Sequence, residues 1–380
     1  EGDGVYLIPI TIDEDAITAF TANALGGPLF VRDDGASLAN DTLGDLDIGE
    51  DVTAAYGMVN LDWGKVALTA GLRVERTDLE IGGFQLENGE VVVPVTAENS
   101  YTNWLPSVIG RFTPTREVIV RLGYHRSIGR PQYSNLSPGG EIVVEADEAF
   151  VSLGNAQLRP FISDNFDASA EYYFGRGSFV SAGAFLKRIK DPIFTSTFTE
   201  EDASFGGVEF ARIEYTQPLN GKRGEIRGIE LAFEQQLTFL PGALSGLGVG
   251  ANVTWVDSEL DIPDGEGGFR KVAFAEQSDV LYGLQLFYQR GPVEASIAYH
   301  HTGRALLAAG GEEFQDQYND DLRRLDFKAG YQLLKNLRLF VEGQNLTDEP
   351  TRQYQGGHRD WFIQEERYGR TFWAGASIQL

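Results

Sequence analysis

Apolar and polar side chains alternate along most of this chain after about residue 50. The clearest examples, with an apolar residue at nearly every second position, are segments 118–124, 229–239, 280–288, 293–299 and 325–333. A period of two places successive side chains on opposite faces of an extended strand. Helical periodicity is hard to find anywhere, so the pattern predicts an all-β chain.

Connections of two lengths separate the predicted strands. Tight turns are predicted at Gly64, Pro114-Thr115, 175–177, Pro241-Gly242, Gly291 and Lys335-Asn336. Long connections are predicted at 79–100, 129–163, 191–222, 257–276, 303–321 and 347–366. Short and long connections alternate along the chain. The twelve connections separate thirteen strands after residue 50, and Val5–Ile12 is a possible fourteenth strand. Most strands would span about 11 to 15 residues, whereas about 5–6 is usual in soluble domains.

Two architectures fit alternating strands, a soluble sandwich and an outer-membrane barrel. Sandwich strands are short, and their connections show no systematic difference between the two ends. An outer-membrane barrel combines long tilted strands, short periplasmic turns and longer extracellular loops. The pattern therefore favours an antiparallel transmembrane β-barrel.

The side chains at particular positions also fit a barrel. Aromatic residues flank the apolar band beside short turns, at Trp63, Phe112, Phe174 and Phe239. Polar residues at the alternate positions would face a wet lumen: Arg121, Glu171, Glu230, Glu294 and Lys328.

Composition narrows the possible functions. The net charge is −25, from 31 basic and 56 acidic side chains, which argues against nucleic acid as a partner because phosphate binding needs clustered Lys and Arg. The chain has no Cys, and no apolar run is long enough for a transmembrane helix. The acidic excess concentrates in the long connections. A solvated loop surface, bound divalent cations and attraction of a cationic ligand all remain open as explanations.

Several motifs resemble the TonB-dependent outer-membrane receptors. The clearest is Asn345-Leu346-Thr347-Asp348-Glu349, followed after a long loop by 368–373, which is similar to the last two strands of that family. Segments 126–136, 154–166 and 221–230 resemble its mid-barrel strands in the same order. Two departures are Phe161, where an acidic residue is common, and Leu380, where the chain usually ends in an aromatic residue.

The resemblance implies a domain organisation. Barrels of this family have 22 strands around a plugged lumen, and this sequence supplies about 14. We therefore expect residues 1–50 to be the end of an upstream strand plus an extracellular loop, and residues 51–380 to be the C-terminal strands. No plug domain is recognised. An omitted first half is the favoured explanation; a second chain and a self-closed barrel of 14 strands are the alternatives.

The resemblance also implies a mechanism. A scarce ligand, such as a siderophore, cobalamin or an oligosaccharide, would bind the loops and the plug, and the TonB-ExbB-ExbD complex would open a path through the plug. Outer-membrane lipid and lipopolysaccharide would surround the barrel, and no cofactor or metal is expected. Candidate ligand-binding residues in the lumen or at the extracellular rim are Arg121, His125, Arg126, Arg130, Tyr133, Asn135, Arg159, Tyr354 and Trp361.

Other functions remain open on the sequence. A complete barrel of 14 strands could be a passive channel for hydrophobic solutes, and long loops alone would suffice for an adhesin. A barrel hydrolase would need a Ser and a His at the lipid-facing rim; Ser127 and His125 share one face, but no third group orders them. We therefore expect no enzymatic activity. Several candidates also have a structural alternative: Tyr354 and Trp361 could anchor their loop, and Arg126 and Arg130 could brace theirs against acidic side chains.

Overall fold

The computed structural model describes residues 19–20, 45–87, 91–205, 207–263 and 268–378. The possible strand at Val5–Ile12 and the terminal Leu380 lie outside these residues. Within them, no helix is long and apolar enough to cross a membrane. The elements are β1 (Asp47–Asp62), β2 (Val66–Glu87), β3 (Val91–Phe112), β4 (Val118–Gly129), η1 (Tyr133–Leu136), β5 (Gly140–Glu145), β6 (Glu148–Leu153), β7 (Phe161–Gly175), β8 (Ser178–Lys190), β9 (Ile193–Phe205), β10 (Val208–Asn220), β11 (Arg223–Gln236), η2 (Gly242–Gly246), β12 (Leu247–Pro263), β13 (Phe269–Val272), β14 (Val280–Arg290), β15 (Val293–Thr302), β16 (Ala305–Ala308), η3 (Glu313–Gln315), β17 (Gln317–Asn319), β18 (Leu322–Leu334), β19 (Leu337–Gln344), β20 (Thr351–Gln355), β21 (His358–Glu366) and β22 (Thr371–Ile378), where η denotes a 3₁₀ helix.

One large sheet contains most of the long strands. Its strand order is β1-β2-β3-β4-β7-β8-β11-β12-β14-β15-β18-β19-β22, and β13 pairs with the far end of β12. Neighbouring strands along this order are antiparallel. The predicted all-β, antiparallel fold class is confirmed, and each predicted tight turn joins two neighbours in the sheet. At Gly64 and Gly291 the backbone has positive φ, which glycine adopts without a steric cost.

The predicted connection at 79–100 is wrong. β2 and β3 continue as a paired hairpin as far as Glu87 and Val91. The reason is visible in the alternation, which persists beyond residue 79: Leu79 and Ile81 are buried on one face, while Glu80 between them is exposed.

The large sheet has one apolar and one polar face. Residues paired across antiparallel strands share a face, so Arg121, Ser169, Gly183 and Glu230 lie in one row. By the same pairing the five predicted lumen residues all lie on this polar face. The opposite face carries exposed apolar side chains such as Leu122, Ile229, Leu231, Leu284 and Leu286. We call the two faces inward and outward.

Four of the other long connections, 129–163, 191–222, 303–321 and 347–366, contribute strands to two smaller sheets at one end of the large sheet, whereas 257–276 contains β13 and extends the large sheet. The first loop sheet has the order β5-β6-β10-β9, and the second has the order β16-β17-β20-β21. β6 and β10 pair in parallel, although residues 148 and 212 are far apart in sequence. The first loop sheet has its own buried core of Ile142, Ala149, Val151, Phe210 and Ile213.

Candidate ligand-binding crevice

The connection from β4 to β7 folds back onto the inward face of β2 and β3. Leu136 in η1 and Leu158 near the start of β7 are almost completely buried, and they pack with Leu79 and Ile81 of β2. Pro131 lacks a backbone N–H and follows the last residues of β4, so it favours the end of that strand. The Asn99 side-chain amide donates to the carbonyls of Ala156 and Leu158, at 2.8 and 2.9 Å. The connection is therefore fixed to the wall by apolar packing and by hydrogen bonds.

An ion-pair network lies beside this apolar contact. Arg130 Nε is 3.2 Å from Glu50 Oε1, and its Nη2 bonds to Glu75. Arg73 Nη2 lies 2.5 Å from Glu75 Oε2, so the Glu75 carboxylate, with only 7% of its side chain exposed, contacts two guanidinium groups. A buried carboxylate needs such partners because desolvation penalises its charge. The carboxylates of Glu50 and Glu75 balance the guanidinium groups of Arg73 and Arg130, so the network as a whole is neutral.

Tyr133 extends the network towards the open side of the crevice. Its hydroxyl donates to Glu50 Oε2 at 2.9 Å, and about half of the side chain is exposed. This hydrogen bond, together with the charge of Glu50, raises the pKa of Tyr133. The phenol is therefore a donor at neutral pH, and its ring remains available for stacking.

Polar atoms without a hydrogen-bond partner concentrate in the same place. Three buried side-chain atoms of β2 and β3 have no hydrogen-bond partner among the described residues: Thr77 Oγ1, Tyr101 OH and Asn103 Nδ2. On the inward face Thr77 pairs directly with Tyr101, and Glu75 with Asn103. Buried polar atoms normally have partners, so this group of donors and acceptors is able to bind a polar molecule. We call it, with Arg130 and Tyr133, the inner crevice.

The family assignment follows from comparison with known proteins. Residues 16–346 match the family model described as TonB dependent receptor-like, beta-barrel. The chain belongs to this family. Its members are transport receptors of the bacterial outer membrane. A search of curated protein sequences returns no match.

Solved structures with the same fold are receptors of this kind. A ferric enterobactin receptor of Pseudomonas aeruginosa is 18% identical with a TM-score of 0.57, over 87% of this chain and 54% of that one. The ferric-catecholate import receptor Fiu of E. coli K12 is 14% identical with a TM-score of 0.62, over 88% and 45%. The copper transporter OprC is 16% identical with a TM-score of 0.63, over 87% and 48%. The chain thus spans about half the length of these receptors.

The structure of this receptor barrel separates the predicted site residues into groups. Arg121 and His125 lie on the inward face of β4, where Arg121 pairs with Glu171 and His125 Nδ1 is 3.8 Å from Asp167 Oδ2. Arg126 faces outward, and its Nε donates to Asp164 Oδ1 at 2.8 Å. Arg126 therefore does not share a surface with Arg121 and His125.

Two further candidates lie where the long connections meet. Arg159 donates from Nη2 to Asp191 Oδ1 at 2.8 Å, and its backbone N–H donates to Asn220 Oδ1. Asn135 accepts, through its backbone carbonyl, the N–H of Asn155 at 2.7 Å. These contacts join segments of the connections, and ligand binding by either residue stays a prediction.

The last two candidates belong to the second loop sheet. Tyr354 is only 3% exposed, with its ring 5.5 Å from that of Tyr318, which is the anchoring role that the sequence had left open. Trp361 is half exposed, and its ring lies 4.6 Å from that of His358. Of this pair, only Trp361 presents a large ring surface to solvent.

Many acidic residues of the long connections form ion pairs. Asp316 is buried against Arg270 at 2.5 Å, and Asp321 pairs with Arg359 at 3.1 Å. Burial raises the pKa of Asp321, but the hydrogen bond and charge of Arg359 outweigh it, so the pKa lies below its usual value. Within the part of the chain that the structure describes, no group of three or more His, Cys, Asp or Glu side chains could hold a metal ion.

Sequence reasoning missed most of the inner crevice. It identified Arg130 and Tyr133 but not Glu50 and Glu75, which bond to them, or Asn103, which lies opposite Glu75. The alternation in β2 and β3 was the signal that could have found Glu75 and Asn103, because it assigns odd positions to the inward face.

Proposed function

We propose that the full-length protein is an active-transport receptor that takes up a scarce metal chelate through the outer membrane. Family membership supports the transport role and favours it over a passive channel, a hydrolase or an adhesin. The structural neighbours include receptors for ferric enterobactin and ferric catecholates and a copper transporter, which supports a metal chelate as the substrate class.

The observation that carries the proposal is the inner crevice. It combines the exposed ring of Tyr133, the guanidinium of Arg130, whose side chain is about one third exposed, and buried polar atoms without hydrogen-bond partners. An aromatic ring and a small number of directed polar groups are what binding sites use to fix the orientation of a small molecule. The two loop sheets lie at the same end of the large sheet, where a ligand would approach from outside.

In this mechanism the barrel supplies the groups that bind the ligand, and the TonB-ExbB-ExbD complex supplies the energy for transport. A ligand in the crevice would contact the same connection that Arg130 and Leu158 hold against the wall. The TonB-ExbB-ExbD complex would then act through a plug to open a path, and the outward apolar face would contact outer-membrane lipid. Lipopolysaccharide would be the neighbour of that face in the outer leaflet.

Uptake of radioactive metal tests this proposal. The full-length protein would be expressed in a Gram-negative host that lacks its own receptors, with and without TonB, and supplied with ferric catecholate, ferric hydroxamate or copper. We expect TonB-dependent uptake of one of these probes. Replacing both Arg130 and Tyr133 with Ala should reduce it roughly tenfold, as loss of an aromatic and an Arg anchor does in binding sites.

Arg116→Ala is the matched control, because Arg116 is an exposed arginine in a short turn at the other end of the sheet. It should leave uptake unchanged. Uptake that persists without TonB would support the passive channel instead. Failure of all three probes would contradict a metal chelate as the substrate.

A further inference from the structure

Three neutral side chains of the inner crevice have buried polar atoms that can bind a ligand. Thr77 is completely buried, Asn103 is 6% exposed, and Tyr101, whose hydroxyl is buried, is paired with Thr77 across the strands. Paired residues of neighbouring strands lie about 5 Å apart, and successive residues on one face of a strand lie about 7 Å apart. The three groups are therefore close enough together to bind one small molecule.

These groups form hydrogen bonds without carrying charge. Burial raises the pKa of Tyr101 and outweighs the opposing effect of the positive charge of Arg130, so the phenol keeps its proton at neutral pH and can donate. The amide nitrogen of Asn103 donates, and the hydroxyl of Thr77 donates or accepts. Carbonyl, amide and hydroxyl groups of a ligand are the partners that match them.

The charged groups beside these atoms, in contrast, are already paired with one another. Arg130 bonds to Glu50 and Glu75, and Arg73 bonds to Glu75. The guanidinium groups of Arg73 and Arg130 are therefore compensated by carboxylates. A charge taken out of water is unfavourable unless an opposite charge is available to pair with it. The crevice thus favours a ligand that has no net negative charge.

The surface above the crevice is acidic. The first loop sheet begins against the end of β2, where Gly139 lies so close to Phe84 that a Cβ would overlap the Phe84 carbonyl oxygen. The four strands of this sheet contain eight acidic residues and one basic residue. Charges of one sign around the entrance to a site repel ligands of the same sign. A polyanion is therefore disfavoured during its approach as well as in the crevice.

We propose that the inner crevice selects a metal chelate without net negative charge, and that Thr77, Tyr101 and Asn103 bind its carbonyl, amide or hydroxyl groups. A ferric hydroxamate fits this description, because the single charges of its hydroxamates balance the ferric ion. A ferric catecholate does not, since its doubly charged catecholates leave the complex strongly anionic. This inference rests on the proposed function, which takes a metal chelate as the ligand, and it adds the class of chelate.

Equilibrium binding to the full-length protein in detergent tests the selection. Fluorescence quenching would be titrated with a ferric trihydroxamate and with a ferric tris-catecholate at the same ionic strength. We expect the hydroxamate to bind roughly tenfold more tightly. Tighter binding of the catecholate would overturn the inference and leave the proposed function intact. Failure of both chelates to bind would also overturn it, and the uptake assay described above then decides whether the proposed function fails as well.

Removing the two unpartnered hydroxyl groups tests the residues. Thr77→Val combined with Tyr101→Phe keeps the shape of both side chains and should weaken hydroxamate binding roughly tenfold, the effect of losing two neutral hydrogen bonds. The thermal stability of the ligand-free protein should not fall, whereas a purely structural role predicts a fall. Thr102→Val is the matched control, since Thr102 is exposed on the outward face of β3. Equal hydroxamate affinity in the double variant and the control would overturn the proposal.

Removing one carboxylate tests the charge argument in the opposite direction. Glu50→Gln retains an oxygen that accepts from Tyr133 but leaves Arg130 less compensated, so catecholate binding should strengthen roughly tenfold while hydroxamate binding changes little. Glu98→Gln is the matched control, because it removes the same charge from an exposed position on the outward face of β3. Equal catecholate affinities in the two variants would contradict selection by charge. Heat-modifiable gel migration shows whether each variant is folded.

Discussion

Individual buried residues in this protein are concentrated at the end of the large sheet that carries the long connections, not in a central core. A barrel wall is one layer thick, so most of its apolar side chains face outward and stay exposed to lipid. Leu79, Leu136 and Leu158 are buried because a loop covers the wall at that height. The charged residues of the inner crevice lie beside them. Loop position and crevice geometry therefore depend on a few apolar contacts.

Replacing Leu158 with Ala should loosen the connection between β4 and β7. The side chain is completely buried, and Leu→Ala substitutions at such positions cost about 2–5 kcal/mol. Limited proteolysis of the folded protein should therefore show faster cleavage within 130–160. Leu244→Ala is the control, since Leu244 is half exposed in η2. Equal cleavage rates in the two variants would show that Leu158 does not hold the connection.

At the scale of elements, the sequence predicts the strands of the large sheet far better than the loops. A long strand repeats its period several times, and the tight turns carry local signals such as Gly64 and Gly291. The loop strands are short, and their pairing is not local. β6 pairs with β10, for example, although β7, β8 and β9 lie between them in the chain. Nothing within β6 alone specifies that partner.

The candidate site shows the same limit. Arg130 and Tyr133 were found because they belong to a motif, whereas the burial of Tyr354 depends on Tyr318, which arrives from another connection. The outward direction of Arg126 was already implied by the alternation of β4. It was overlooked because Arg126 and Arg130 were read as one motif.

Close approach between strands explains why position 228, in the motif at 221–230, is a glycine. A Cβ at Gly228 of β11 would lie 2.5 Å from the ring of Phe185 and from the carbonyl oxygen of Trp255. Gly228→Ala should therefore strain this part of the wall by about 1–3 kcal/mol and lower the fraction of assembled barrel. Heat-modifiable migration on a gel measures that fraction. Gly57→Ala on β1, where no atom lies within 4 Å, should assemble normally; a similar defect in both variants would exclude the steric explanation.

At the scale of the whole molecule, the two ends of the sheet differ in charge as well as in loop length. Charged strands of the loop sheets stand at one end, while the other end has short turns flanked by Trp63, Phe112 and Phe239. The outward face changes from apolar to charged in between. These three features distinguish the two ends of the sheet from each other. The proposed function requires that the end with the loop sheets lies outside the cell.

Cysteine labelling can establish this orientation, because the chain has no Cys and a single introduced thiol has no background. Glu201 is exposed in the first loop sheet, and Arg116 is exposed in the turn between β3 and β4. A membrane-impermeant maleimide should label Glu201→Cys on intact cells, and Arg116→Cys only after the outer membrane is permeabilised. Labelling in the opposite order would place the acidic loop sheets in the periplasm, and the inner crevice would then face the wrong compartment for its proposed role.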